Sequence, residues 1–224
     1  MPRSNEIYYY ESNKGNTIDP PLVLIHGAGG NFRHWPGSLR RLPGLRVIAP
    51  DLPGHGESEG LGHQSVKDYT ERILSLLDRL NIFQAIFCGH SMGGAIAQQI
   101  CLMSPNRTTG LVLVGTGAAL PVNKSLLDYL SVDATYPKAV ALISKWSMNK
   151  TADEGLRKKL HEQLATNRRK VLYRDYTACN RFDVTAEVHK IEVPTKIIVG
   201  TADKMTIPSY SDLLNMKIPN SSLS

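Results

Sequence analysis

The stretch Ala85-Ile86-Phe87-Cys88-Gly89-His90-Ser91-Met92-Gly93-Gly94, followed by a helical pattern from Ala95 to Met103, decides how this chain folds. A short apolar strand runs straight into Gly-x-Ser-x-Gly and then into a helix. A serine held on a strand-to-helix turn takes a strained backbone, so the residues two before and two after it must lack bulk. Gly89 and Gly93 meet that demand. The turn lifts the Ser91 hydroxyl above the sheet. It also leaves the Met92 amide free at a helix N-terminus, where unpaired N–H groups and the helix dipole favour negative charge.

A second oxyanion donor belongs on the loop after an early strand, and His26-Gly27-Ala28-Gly29-Gly30 lies just past Leu22 to Ile25. The Ala28 amide is the first choice for that donor, with Gly29 as its nearest rival. His26 precedes the loop and reads as a brace for it rather than a catalytic base. His90, beside the serine on a tight turn, points elsewhere.

Working outward, Leu22 to Ile25, Arg46 to Ala49, Ala85 to Cys88, Leu111 to Val114 and Lys196 to Val199 are nearly continuous apolar runs, as expected of parallel strands covered on both faces. Ile7 to Tyr10 is expected as an antiparallel edge. Val66, Tyr69, Ile73, Leu76, Leu77 and Leu80 recur at helical spacing after a capping Ser65 and Asp68, which predicts a packed crossover helix. After Gly117 the pattern turns helical, with expected helices at Pro137–Trp146, Asp153–Ala165 and Lys170–Cys179. The basic residues Arg157, Lys158, Lys159, Arg168, Arg169 and Lys170 lie there on polar helix faces, which reads as a solvated surface rather than a nucleic-acid groove.

Composition bounds the rest. With 224 residues, 42% apolar and 21% charged, the chain is neither disordered nor fibrous, and it has the length of one large domain or one domain with an insertion. A net charge of +6 spread along the whole chain is too thin to argue for nucleic acid. No run approaches the roughly 18 apolar residues of a spanning helix, and no secretory h-region opens the chain, so no membrane and a cytoplasmic location are the expectations. Three cysteines at no metal-like spacing read as reduced thiols, with Cys88 and Cys101 in the core.

Taken together, these features resemble the α/β-hydrolase superfamily from about Leu22 to the C-terminus. Asp51-Leu52-Pro53-Gly54-His55-Gly56-Glu57-Ser58 looks like that family's glycine-rich turn after the fourth strand, and Asp183-Val184 leading to Ile191-Glu192-Val193-Pro194-Thr195 is a further match. The resemblance implies an α/β fold with a mostly parallel central sheet and a helical cap inserted after the sixth strand. The core would comprise residues 1–118 and 191–224, and the cap residues 119–190. The family order is serine, acid, histidine. Asp203, in the loop after Lys196 to Val199, fits the acid; the other family position, Gly115-Thr116-Gly117-Ala118, holds no carboxylate.

The histidines are His26, His34, His55, His63, His90, His161 and His189, and none follows Asp203. Ile218 to Ser222 reads as the turn into a last strand that Leu223 opens, so the last strand and closing helix are expected to be missing, together with the base. Without that strand the Ile197-Ile198-Val199 run would be an apolar sheet edge. The resemblance implies a serine hydrolase of esters or related acyl compounds. Ser91 would be its nucleophile, Asp203 the orienting acid, the Ala28 and Met92 amides the oxyanion hole, and no cofactor or metal would be required. The serine argues against the branches with an aspartate nucleophile. The alternative is a non-catalytic or slow ligand-binding protein on the same fold. Phe32, Trp35 and Trp146 are candidate contacts to a small-molecule substrate, of small or medium acyl size, and the sequence does not determine an oligomeric state.

Overall fold

A computed structural model describes residues 3–4, 7–13, 18–149 and 151–224. The apolar runs form β3 (Ile18–Ile25), β4 (Leu45–Pro50), β5 (Ala85–His90), β6 (Thr108–Val114) and β7 (Thr195–Ile198), preceded by β1 (Arg3–Ser4) and β2 (Ile7–Ser12) and followed by β8 (Ser221–Leu223). They lie side by side in the order β1-β2-β4-β3-β5-β6-β7-β8. Pairing is parallel from β4 across to β8, and antiparallel where β2 meets β4 and β1 meets β2.

Alternation along β3 shows why the middle of the sheet is almost wholly apolar. Leu24 joins Phe32, Trp35, Val47 and Cys88 on one face of the sheet, while Val23 and Ile25 join Ile48 and Phe87 on the other. The helices that cover these faces are α1 (Gly37–Arg40), α2 (Val66–Arg79), α3 (Met92–Met103) and, after β7, α8 (Pro208–Lys217). The Ser65 hydroxyl accepts from the Asp68 amide at 3.1 Å and starts α2. From there Tyr69, Ile73, Leu76 and Leu77 are buried against the sheet, each worth about 1.5–3 kcal/mol of apolar burial.

Between β6 and β7 the chain makes α4 (Lys124–Ser131), α5 (Tyr136–Trp146), α6 (Glu154–Ala165) and α7 (Arg169–Arg181). Leu126, Leu130, Val140, Ile143, Leu164 and Leu172 pack these helices into a cluster of their own. An antiparallel bridge between Ala119 and Asp183 brings the two ends of the segment together. Past it, Val184 and Val188 return to the main core. The helix α4 escapes the periodicity reading because it has only two inward residues, Leu126 and Leu130, in two turns.

The expectation of a missing last strand needs correction. Residues Ser221, Ser222 and Leu223 pair in parallel with Thr195, Lys196 and Ile197, so β7 is not the edge of the sheet there. The strand begins on two serines because ladder hydrogen bonds are made by the backbone: Ser224 N–H donates to the Ile197 carbonyl at 3.0 Å, and Val199 N–H to the Ser224 carbonyl at 3.1 Å. Among the described residues no helix is long and apolar enough to cross a membrane.

Candidate active site

The turn between β5 and α3 has the strain that its sequence demands. Ser91 sits at φ 54°, ψ −120°, a conformation that costs a non-glycine residue about 1–3 kcal/mol. A Cβ at Gly89 would run into the Gly93 carbonyl, and one at Gly93 into the Ile25 carbonyl, so both positions require glycine. Surrounding bonds hold the strained residue: the Ser91 amide donates to the Val114 carbonyl at 2.9 Å, and the Thr116 hydroxyl donates to the Ser91 carbonyl at 2.9 Å. The Met92 amide opens α3 and finds no acceptor among the described residues.

The loop after β3 reaches the same place. Gly30 N–H donates to the Gly27 carbonyl at 3.0 Å and closes a tight turn with Gly29 at φ +63°. Gly29 N–H is engaged by the Asp175 carboxylate at 2.9 Å, whereas the Ala28 amide has no acceptor among the described residues. His26 lies beneath, buried. Its Nδ1–H donates to the Gly27 carbonyl at 2.8 Å, and its Nε2 accepts from the Leu52 amide at 2.9 Å. Burial, reinforced by His55, holds its pKa well below the ordinary 6.5, which matches a neutral ring accepting at one nitrogen.

Asp203 stands in the loop after β7, half-buried. Its Oδ1 accepts from the Met205 and Thr206 amides at 2.8 and 2.9 Å, and its Oδ2 from the Thr206 hydroxyl at 2.9 Å. His90 lines the same cleft, its ring set among protein atoms with one side open to solvent. Its pKa is lowered by burial, an effect the nearby Asp203 charge partly offsets. Among the described residues no histidine is hydrogen-bonded to Ser91 or to Asp203. His34, on the same cleft, contacts Gln163 of α6; burial lowers its pKa, and His90 lowers it further.

Two adjoining cavities of about 480 and 350 Å³ meet at Ser91. One extends toward Ala28, His90 and Asp203, the other toward Val122, Leu126 and Tyr210. Trp146 from α5 lines both.

Phe32 and Trp35, expected as substrate contacts, line neither cavity. The side chain of Asn31 caps a short helical turn at Phe32–His34, after which both aromatics pack into the cluster on the far face of β3 and β4. There Phe32 stacks on Tyr10 with ring centroids 5.8 Å apart, and Arg40 lies over both rings. Turn geometry overrode nearness in sequence.

Sequence reading missed Asp175 altogether. Its signal was available: α7 buries Val171, Leu172, Asp175, Tyr176 and Cys179 along one stripe, and an acid on an apolar stripe marks a buried polar contact.

The alpha/beta hydrolase fold profile matches residues 20–223. The chain is 44% identical over 108 residues to the dihydrolipoyllysine-residue acetyltransferase component of the acetoin cleaving system of Pseudomonas putida, a match covering 45% of this chain and 28% of that protein. It is 37% identical over 111 residues to a pimeloyl-[acyl-carrier protein] methyl ester esterase of Pectobacterium carotovorum, covering 49% and 41% respectively. These matches thus span less than half the length of the curated relatives. A hydrolase from Pseudomonas aeruginosa superposes with a TM-score of 0.86 at 25% identity, over 97% of this chain and 84% of that one. A thermophilic esterase superposes with a TM-score of 0.79 at 29% identity, over 97% and 87%. Sheet order, strained turn and a profile match running from β3 into β8 lead to one conclusion: the chain belongs to the alpha/beta hydrolase fold family.

Proposed function

We propose that this protein is a serine hydrolase acting on esters or related acyl compounds of small or medium size through an acyl-enzyme intermediate. One observation carries the reading: the strained Ser91 lies where two cavities meet, with the unpaired Ala28 and Met92 amides nearby. Two lobes suit a substrate whose acyl part and leaving alcohol lie on opposite sides of the scissile carbonyl. The Ser91 oxygen attacks that carbon as a general base takes its proton, and the carbonyl electrons move onto oxygen, where the two amides stabilise the charge. Collapse expels the alcohol, which receives the proton. Water then repeats the sequence on the acyl-enzyme and releases the acid.

The base is a histidine oriented by Asp203. The family order of serine, acid and histidine places that base after Asp203; no described histidine bonds to either Ser91 or Asp203. The helices between β6 and β7 serve as the cap, and Trp146 as a contact to substrate. The same lack of a bonded histidine favours the second reading, a slow or non-catalytic binder of acyl ligands.

A fluorophosphonate probe on the full-length protein separates the two. Stoichiometric labelling of the wild type that vanishes in Ser91→Ala is the result expected of the hydrolase. Folded full-length protein that stays unlabelled favours the binder.

A further inference from the structure

Asp175 lies on α7, away from the loops that carry Ser91, Ala28 and Asp203, and is fully buried. A carboxylate there is costly unless its oxygens are well satisfied. Oδ2 accepts from Gly29 N–H at 2.9 Å and from His55 Nε2–H at 2.7 Å, and Oδ1 accepts from the Tyr69 hydroxyl at 2.5 Å. The other nitrogen of His55 donates to the Pro53 carbonyl at 3.1 Å. An acceptor at each ring nitrogen suits the protonated form of His55, in which the contact is a buried ion pair.

Four segments distant in sequence meet on this one side chain: α7, the loop after β3, the glycine turn after β4, and α2. The loop is held from its other side as well, because Asn167, just before α7, donates from Nδ2 to the Gly29 carbonyl at 3.0 Å. Both peptide groups of Gly29 are therefore tied to the helical segment. The planar peptide joining Ala28 to Gly29 cannot turn without breaking the bond to Asp175, and its orientation sets the turn that leaves Ala28 N–H unpaired.

We propose that Asp175 is a positioning residue for the oxyanion site, fixing the Gly27–Gly30 turn from the helical segment so that the Ala28 amide faces the oxygen that becomes negative above Ser91. This inference rests on the roles proposed above for Ser91 and Ala28. It makes formation of the site depend on docking of α7, with His55 supplying the counter-charge.

The test is Asp175→Asn in the full-length protein. The variant keeps the shape, but its amide group turns a donor toward a neighbouring donor and releases at least one tie. With 4-nitrophenyl acetate, kcat per fluorophosphonate-titrated site is expected to fall about 10- to 100-fold while KM changes less than about twofold, because oxyanion bonds strengthen only in the transition state. In amide NMR spectra the Ala28 and Gly29 signals are expected to move and that of Met92 to stay. A merely structural residue would reduce the fraction of titratable enzyme and leave kcat per site at the wild-type value; that outcome, or unmoved Ala28 and Gly29 signals, overturns the proposal.

If Asp175→Asn does not fold, Tyr69→Phe removes one donor and keeps the charge, and a kcat loss of about threefold with the same two signals moving is expected. Wild-type protein that neither turns over nor labels would remove the serine reading. The amide signals would still show whether Asp175 holds the turn.

Discussion

Asp175 and Asp203 are both hydrogen-bonded carboxylates, and they are wired in opposite ways. Asp203 takes its bonds from Met205 and Thr206, two and three residues along its own loop, and stays half-buried on the cleft. Asp175 takes its bonds from residues 106 to 146 positions away and is buried completely. A locally satisfied carboxylate keeps its geometry whatever docks above it, and so suits a partner that must move a proton. A carboxylate satisfied over long range ties distant segments together and shares their stability. The difference runs parallel to the proposed roles, chemistry for Asp203 and assembly of the site for Asp175.

The strongest way to break this comparison is Asp203→Asn in the full-length protein. If Asp203 orients the base, kcat is expected to fall about 10⁴-fold, while unfolding free energy changes by about 1 kcal/mol or less, since the loop amides keep an oxygen acceptor. An unimpaired kcat would remove Asp203 from the mechanism.

Asp175→Ala is expected to behave in reverse, with stability as the main casualty. Removing one partner of a buried ion pair costs about 3–5 kcal/mol, readable as a shift of the urea midpoint with an unchanged slope. A cost below about 1 kcal/mol would mean that His55 is not held as a cation.

The smallest effect sharpens the same point. Burial pulls the pKa of His55 down, but the Asp175 charge and hydrogen bond, with the Pro53 carbonyl, outweigh it and raise the net value above the ordinary 6.5. The folded state therefore binds this proton more tightly than the unfolded chain. The resulting stability is fully present below about pH 6.5 and fades as pH rises through the elevated folded value. Urea titrations of wild type and His55→Gln, paired at each pH, cancel the histidines remote from His55, and the same pair in a His26→Asn background removes the nearest ring that His55 itself perturbs. Their difference is expected to be largest near the low end and to narrow upward. A gap that widens with rising pH would contradict the assignment.

Much of this was legible because it is local. Gly89, Ser91 and Gly93 lie within five consecutive residues, and their steric demands hold wherever the turn sits in a protein. The apolar runs of β3 to β7 are legible because a strand covered on both faces favours apolar residues along most of its length. Asp203 was singled out as a candidate through its position after β7 together with the family resemblance, and the structure places it on the cleft that Ser91 lines. Phe32 and Trp35 were misplaced because nearness in sequence does not tell which face of a sheet a loop residue will reach. Ser221 and Ser222 were passed over as a strand because ladder bonds leave no trace in side chains.

The sequence by itself determined the nucleophile-type turn, the alternation of strands and helices, and the candidacy of both Ala28 and Gly29 as donors. Only the tertiary structure set the two amides apart, by bringing Asp175 from 146 residues away onto the Gly29 amide and leaving that of Ala28 unpaired among the described residues. The physical reason is range. Backbone strain and strand burial act over a few residues and are written in order along the chain, whereas a buried charge chooses its partners only after the segments that carry them have packed.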